Sequence, residues 1–186
     1  MRHAESEHNV LNIVNGDPKK QFHITKKGKL QAKGLALKLR NKEIAAVIAS
    51  QMKRTQDTAA PLAKLKKLKI QIDSRLNDIG TGGLEGMNIL KFKKITNLVS
   101  RSVKGSETGV GVAKRLKSFL EDAVKYYAGK TIAVVSSEII LHSLKQIAAG
   151  KFSNEHIGRH PKNATVYTFH LHSPICCPSC GDRCEI

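Results

Sequence analysis

At 186 residues and 40% hydrophobic content, the chain is long enough for one domain with a sizeable core and has the composition of a globular protein. Its longest apolar stretches, such as Ile44 to Ala49, fall far short of the roughly eighteen residues of a membrane-spanning helix, and the polar run Arg2 to Asn9 lacks the pattern of a leader; a cytoplasmic protein with no membrane partner is expected. Lys and Arg outnumber Asp and Glu by 32 to 15, a net charge of +17 that favours anionic partners such as phosphate esters or nucleic acid.

Much of the excess charge lies in short lysine clusters (Lys26–Lys27, Lys64–Lys69, Lys91–Lys94) without interleaved rings, and aromatics are only 4% of the chain. Base-stacking recognition of single strands is therefore not favoured, and each cluster taken alone reads better as a solvated surface.

Short apolar runs alternate with amphipathic stretches, the pattern of an α/β protein, with no internal repeat and no long linker. Thr25 is placed to cap a helix running to about Asn41, with Leu30, Leu35 and Leu39 near helical spacing. Ile44 to Ala49 reads as a buried strand. Met52 to Lys67 reads as a helix interrupted by Pro61, and Ile70 to Leu76 alternates like an edge or half-buried strand. A glycine-rich loop, Gly80 to Gly86, follows.

From Val112 to Tyr127 the residues Leu116, Phe119, Leu120 and Ala123 mark one face of a long helix that Gly129 ends. Thr131 to Ser136 is short and continuously apolar, as a core strand of a mostly parallel sheet would be. Ile139 to Ala149 returns to helix, and Ala164 to Leu171 is expected to close the series as a strand. Residues 1–172 thus form the domain, and 173–186 form a separate tail that holds all four cysteines.

In that tail Cys176-Cys177-Pro178-Ser179-Cys180-Gly181-Asp182-Arg183-Cys184 carries a CPxCG knuckle and a further thiol, with His170 and His172 upstream. The spacing suits a structural zinc on Cys177, Cys180 and Cys184, with Cys176 or a histidine as fourth ligand. A set of free thiols in a reducing compartment fits the same residues.

Arg2-His3-Ala4-Glu5-Ser6-Glu7-His8-Asn9 brings a guanidinium, an imidazole and an amide into eight residues, a group suited to an oxyanion. An imidazole can attack phosphorus, and a guanidinium offers paired donors to phosphate oxygens. This segment, with Asn9 four residues beyond Glu5, resembles the RHGET…N signature of the histidine phosphatase superfamily, with Ala4 where glycine is usual. Ile24-Thr25, Gly28 and Gln31-Ala32 are similar to its LTxxGxxQA helix start. Ser50, Arg54 and Thr58-Ala59 resemble its SxxxRxxxTA segment. Arg75-Leu76-Asn77-Asp78, followed by Gly82-Gly83-Leu84-Glu85-Gly86, resembles the loop that supplies its acid, with Asp78 where glutamate is more frequent.

The resemblance spans residue 2 to about 170 and implies a three-layer α/β/α fold of the phosphoglycerate mutase type with a mostly parallel central sheet. It implies that His3 is the nucleophile, that Arg2, Asn9 and Arg54 hold phosphate oxygens, and that Asp78 protonates the leaving alcohol, its pKa being raised for that task. Gly82, Gly83 and Gly86 would let the backbone approach a ligand. No cofactor is required for this chemistry.

Two departures follow. The family has a second histidine in a VSHG turn where this sequence reads Val135-Ser136-Ser137-Glu138, so Ser137 stands in its place as a neutral donor to phosphate and turnover is expected to suffer. His142, five residues on, is expected on the helix surface. The family also places an apolar strand before the Arg-His pair, and this sequence begins at Met1, so the sheet is expected to lack its first strand, through a truncated reading frame or a missing member.

A phosphatase acting on small phosphomonoesters is the expectation. A mutase is the lesser alternative, because Met87 to Glu107 leaves little room for the insertion such enzymes carry. The alternative of another class is a non-catalytic pseudophosphatase that binds phosphorylated ligands, RNA or a protein through its basic surface.

Overall fold

The computed structural model describes residues 1–95, 105–148 and 162–171 of the chain, with the side chains of 93–95 and 148 excepted. Three short strands, β1 (Ala46–Ala49), β2 (Ile70–Ile72) and β3 (Ile132–Val135), form a parallel sheet in the order β2-β1-β3. The central strand pairs Val47 with Ile70 on one side and with Ala133 on the other. Its four residues are all buried, as a strand covered on both faces by helices must be, which is why it reads as an unbroken apolar run.

Alternation along β1 divides the core. Val47 and Ala49 pack with Ala133 and Val135 against α2 (Lys26–Lys38) and α3 (Lys53–Lys66), through Ala36, Ala59 and Leu62. Ala46 and Ile48 face the opposite way, toward α5 (Gly109–Tyr126) and α6 (Glu138–Ala148), through Leu116, Leu120 and Ile140. The three-layer architecture therefore stands. Small residues on the first face bring α2 and α3 close to the sheet, while the second face is filled by Leu, Ile and Phe.

The helix limits have local causes. Thr25 caps α2, its hydroxyl accepting from Gly28 N at 3.0 Å, and Thr108 caps α5, accepting from Gly111 N at 3.1 Å. The α5 helix therefore starts at Gly109, earlier than Val112. Lys67 ends α3 in the left-handed region, φ 55°. Two short helices not read from the sequence are α1 (Glu7–Val10) and α4 (Ile89–Ile95).

Two strand expectations need correction. Beyond Ile72 the chain turns into a 3-10 segment, Ser74–Leu76, because Asp73 accepts a hydrogen bond from Arg75 N and turns the backbone. Residues 164–171 form no strand: Ala164 lies in a turn at φ 58°, Arg2 N donates to Thr165 O and Ala164 N to His3 O, and those two bonds make no ladder. The space beside β3 is taken by the start of the chain. Arg2 bridges to Ser136 in parallel, His3 N donates to Ser136 O at 2.9 Å, and Ser136 N donates to Met1 O at 3.1 Å. His3 is thus placed at the carboxyl end of the sheet by backbone bonds to β3's last turn.

Candidate active site

Three loops converge at the carboxyl ends of the parallel strands, where open α/β sheets bind ligands. They follow β1 (Ser50 to Arg54), β2 (Asp73 to Glu85) and β3 (Ser136 to Glu138), and the segment Arg2 to Asn9 joins them. Between them lies a cavity of about 690 Å³, counting the space open to solvent at its mouth. Arg2, His3, Asn9, Asp78 and Ser137 line it, with His8, Asn15, Thr81 and Glu138, and an apolar side built on Ile13, Ile79, Phe92 and Ile139.

His3 is 2% exposed, and its Nδ1 lies 2.8 Å from Ala4 O. A carbonyl only accepts, so Nδ1 carries the proton and Nε2 keeps its lone pair. Burial, reinforced by the Arg54 guanidinium and by His8, pushes the His3 pKa well below the usual histidine value and keeps the ring neutral. A neutral imidazole with a free lone pair can act as a nucleophile. The family-like residues around it have structural reasons. Thr58 Oγ1 accepts from Ala4 N at 2.9 Å and donates to Arg54 O at 2.7 Å; Gln31 accepts from Glu5 N at 2.8 Å. A Cβ at Gly28 would sit 2.1 Å from Glu5 O, so only glycine lets α2 approach this segment.

Asn9 lines the cavity and is fixed from several sides. Its Oδ1 accepts from Ser6 N at 3.1 Å and from Asn163 Nδ2 at 3.2 Å, and its Nδ2 donates to His8 Nε2 at 3.1 Å. That leaves His8 Nδ1 to donate to Ser6 Oγ at 2.7 Å. His8 was not singled out in the sequence reading. It is 7% exposed, its ring centroid is 5.4 Å from that of His3, and burial together with Arg54 and Arg2 lowers its pKa to about 3.

Arg54 is 1% exposed and lies behind the cavity wall rather than in its lining. Its Nη2 donates to Asp78 Oδ2 at 3.1 Å and to Asn15 O at 3.0 Å, and its Nη1 donates to Asn15 Oδ1. Burial lowers its pKa from the usual arginine value, and the Asp78 carboxylate opposes that shift. Asp78 accepts from Ile79 N at 2.9 Å as well, so both of its oxygens are engaged as acceptors.

Asn15, absent from the sequence reading, and Glu85, read there only as part of the glycine loop, complete this cluster. Glu85 accepts from Asn15 Nδ2 and Gly16 N, each at 2.8 Å, and from the Thr81 hydroxyl. The hint was the Glu85-Gly86 pair at the end of the glycine loop. The glycines of that loop do not line the cavity: Gly82, at φ 53°, packs on the backbone of Gly105, and a Cβ there would come within 2.4 Å of its carbonyl carbon.

Ser137 is 3% exposed, and its hydroxyl has no hydrogen-bond partner among the described residues. It precedes the first residue of α6, so the hydroxyl and the first N–H groups of that helix meet at the cavity, a place where negative charge is favoured. Glu138 turns back onto Arg2, Nη1 to Oε2 2.8 Å. His142 is half-buried and does not line the cavity, so it is not the surface residue expected from its spacing.

Cys177, Cys180 and Cys184 lie outside the described residues. Among the described residues no His, Cys, Asp and Glu group is arranged to hold a metal ion, and no helix is long and apolar enough to cross a membrane.

Comparison with known proteins gives a consistent family. The model of the histidine phosphatase superfamily (branch 1) matches residues 1–174. The chain is similar to phosphoserine phosphatase 1 of Hydrogenobacter thermophilus, 31% identical over 155 residues that cover 77% of this chain and 72% of the relative. Its fold is similar to that of Bacillus stearothermophilus YhfR, with TM-score 0.79, 22% identity and coverage of 91% and 92% of the two chains. A mycobacterial glucosyl-3-phosphoglycerate phosphatase in complex with VO3 superposes with TM-score 0.76 at 18% identity, over 88% and 85% of the two chains.

Proposed function

The chain belongs to the histidine phosphatase superfamily, and we propose that it hydrolyses small phosphomonoesters through a phosphohistidine on His3. The observation that carries this reading is the tether of His3 Nδ1 to Ala4 O, which leaves a buried, neutral Nε2 as the attacking atom at the cavity.

In the first step Nε2 bonds to phosphorus and the P–O bond to the alcohol breaks, the alcohol taking a proton from Asp78. In the second, water attacks phosphorus, the P–N bond breaks, and Asp78 recovers the proton as inorganic phosphate leaves. Arg2, Asn9, Ser137 and the start of α6 hold the equatorial oxygens. Arg54 joins them when the phosphate takes over the Nη2 that donates to Asp78, and the same exchange frees the Asp78 oxygen to carry its proton.

One observation favours the alternative of a non-catalytic phosphate-binding protein: Glu138 is ion-paired to Arg2 at the cavity, so an incoming phosphate competes with a carboxylate for that guanidinium. One experiment decides between them. Purified protein is incubated with p-nitrophenyl phosphate and a panel that includes phosphoserine, the substrate in the name of the 31% identical relative. The reaction is quenched in base, and the peptide carrying His3 is analysed by mass spectrometry. Turnover with a phosphate on His3, both lost in His3→Ala, is the expected result. Equal rates in the two proteins remove the enzyme reading.

A further inference from the structure

The end of the sheet opposite the cavity carries an organised charge. All three parallel strands begin there, and α2, α3 and α5 end there. Lys38, Arg40 and Lys42 come from the end of α2 and its exit, and Lys64, Lys66, Lys67 and Lys69 from the end of α3 and the turn into β2. Lys125 and Lys130 come from the end of α5 and the turn into β3.

These segments are neighbours. Lys66 Nζ donates to Arg40 O at 2.6 Å and to Lys42 O at 2.5 Å, and Ala45 N donates to Thr131 O at 2.8 Å. The only carboxylate in residues 37–44, 63–70 and 124–131 is Glu43.

Favourable contact of cations with helix carboxyl ends explains some of this, and Lys66 in particular. It does not explain the rest. Among the described residues no Asp or Glu lies within ion-pair distance of any of these nine cations; elsewhere Lys27, Lys53, Arg75, Arg115 and Lys117 each have a carboxylate while single lysines such as Lys29, Lys33 and Lys114 do not, so it is the gathering of nine unpaired cations on one pole that stands out. Apolar side chains stand among the unpaired cations: Leu37 is 56% exposed, Leu65 46% and Tyr126 63%.

We propose that this pole docks the protein on an anionic membrane surface, with the cavity facing the solvent on the far side. Unpaired lysines concentrate on phosphate and carboxylate headgroups, and leucine and tyrosine side chains enter the interfacial region between them. A nucleic-acid backbone would use the cations but gains nothing from exposed leucines, and the pole has one exposed ring where single-strand binding calls for several. The segment is a surface contact and no span.

The test is sedimentation of the full-length protein with vesicles of phosphatidylcholine containing about one third phosphatidylserine, beside vesicles of phosphatidylcholine alone. Binding to the anionic vesicles alone is expected, falling about tenfold as salt is raised from about 0.05 to about 0.3 M. Two charge reversals on different segments, K38E/R40E/K42E and K64E/K67E/K69E, are each expected to abolish it with phosphatase activity unchanged, so that one folded variant suffices if the other fails by circular dichroism. L37S/L65S is expected to weaken vesicle binding at least several-fold and to leave binding to a duplex RNA unaltered. Absence of binding at low salt, or binding that survives the folded reversal variants, overturns the proposal. Binding to RNA without vesicles, or vesicle binding indifferent to L37S/L65S, assigns the surface to nucleic acid or to charge alone and overturns it as well.

Discussion

The two ends of the parallel sheet handle charge in different ways. Around the carboxyl ends each arginine is held by a carboxylate: Arg54 by Asp78 at 3.1 Å, Arg75 by Asp73 at 2.7 Å, Arg115 by Glu107 at 2.7 Å and Arg2 by Glu138 at 2.8 Å. Around the amino ends the cations, all but the half-buried Lys66 exposed, stand without carboxylates among the described residues. Desolvation makes the difference. A guanidinium that is 1% exposed must be paired, and a lysine in water need not be. Structure at the first end is held by charge pairs, and at the second charge is free for a partner.

The comparison is broken most severely at Arg54. Arg54→Ala leaves the Asp78 carboxylate and the Asn15 amide oxygen without their donor in a buried cluster, and the expected cost is about 3–5 kcal/mol, a fall in melting temperature on the order of 10 °C. Arg54→Lys is expected to recover part of it, since an ammonium restores the charge without the fork. A thermal scan of Arg54→Ala that coincides with wild type would show the pair to be incidental.

Acid acts on the same end. His8 is neutral when folded, with a pKa of about 3, and protonates near 6.5 when unfolded, so below 6.5 the unfolded state binds the extra proton and stability falls with pH until about 3. Each unit of pH in that window costs about 1.4 kcal/mol, roughly 3 kcal/mol at about pH 4.5, and above 6.5 the contribution is constant. His3, lowered for the same reason of burial, adds in the same direction. Denaturation followed from pH 7 to 4 is expected to show this slope, and His8→Gln is expected to flatten it by one proton. A variant with the wild-type slope would remove His8 as its source.

How much of this was legible follows from which residues act alone. His3, Arg54 and Asp78 sit in segments whose order and spacing survive in the sequence, and the apolar run of β1 could only be a covered strand. The pairing of Arg54 with Asn15, and of Asn15 with Glu85, was not legible, because Asn15 is 39 residues from Arg54 and 70 from Glu85 and carries no local pattern. His8 was hidden inside the motif that named its neighbours. Residues 164–171 misled because alternation of side chains says nothing of pairing, which is decided by what lies beside the backbone. The basic pole was visible only as scattered lysine clusters until the parallel topology brought three helix ends together.

Ser137, which the sequence resemblance sets where the family has its second histidine, offers a smaller, opposite effect. Ser137 sits in the lining of the cavity with a hydroxyl that has no partner among the described residues, and Glu138 occupies Arg2. Ser137→His with Glu138→Gly supplies a second imidazole donor and frees the guanidinium, so kcat/KM is expected to rise by about tenfold to a hundredfold. Steady-state kinetics on p-nitrophenyl phosphate measure it. A rate at or below wild type would mean that these two positions do not limit turnover.

The smallest effects belong to the other end, and they distinguish a cation that supports the fold from one that does not. Lys66 Nζ bridges two carbonyl oxygens where α2 exits, so Lys66→Ala is expected to cost about 1 kcal/mol. Lys64 and Lys69 make no such bridge, and their alanine variants are expected to stay within about 0.5 kcal/mol of wild type, because losing a solvated charge that has only like charges around it breaks no pair and relieves a little screened repulsion. Chemical denaturation of the three variants in one buffer tests the ranking. If Lys64→Ala and Lys69→Ala cost as much as Lys66→Ala, the cations of this pole are part of the fold's own balance, and the contrast between its two ends loses its meaning.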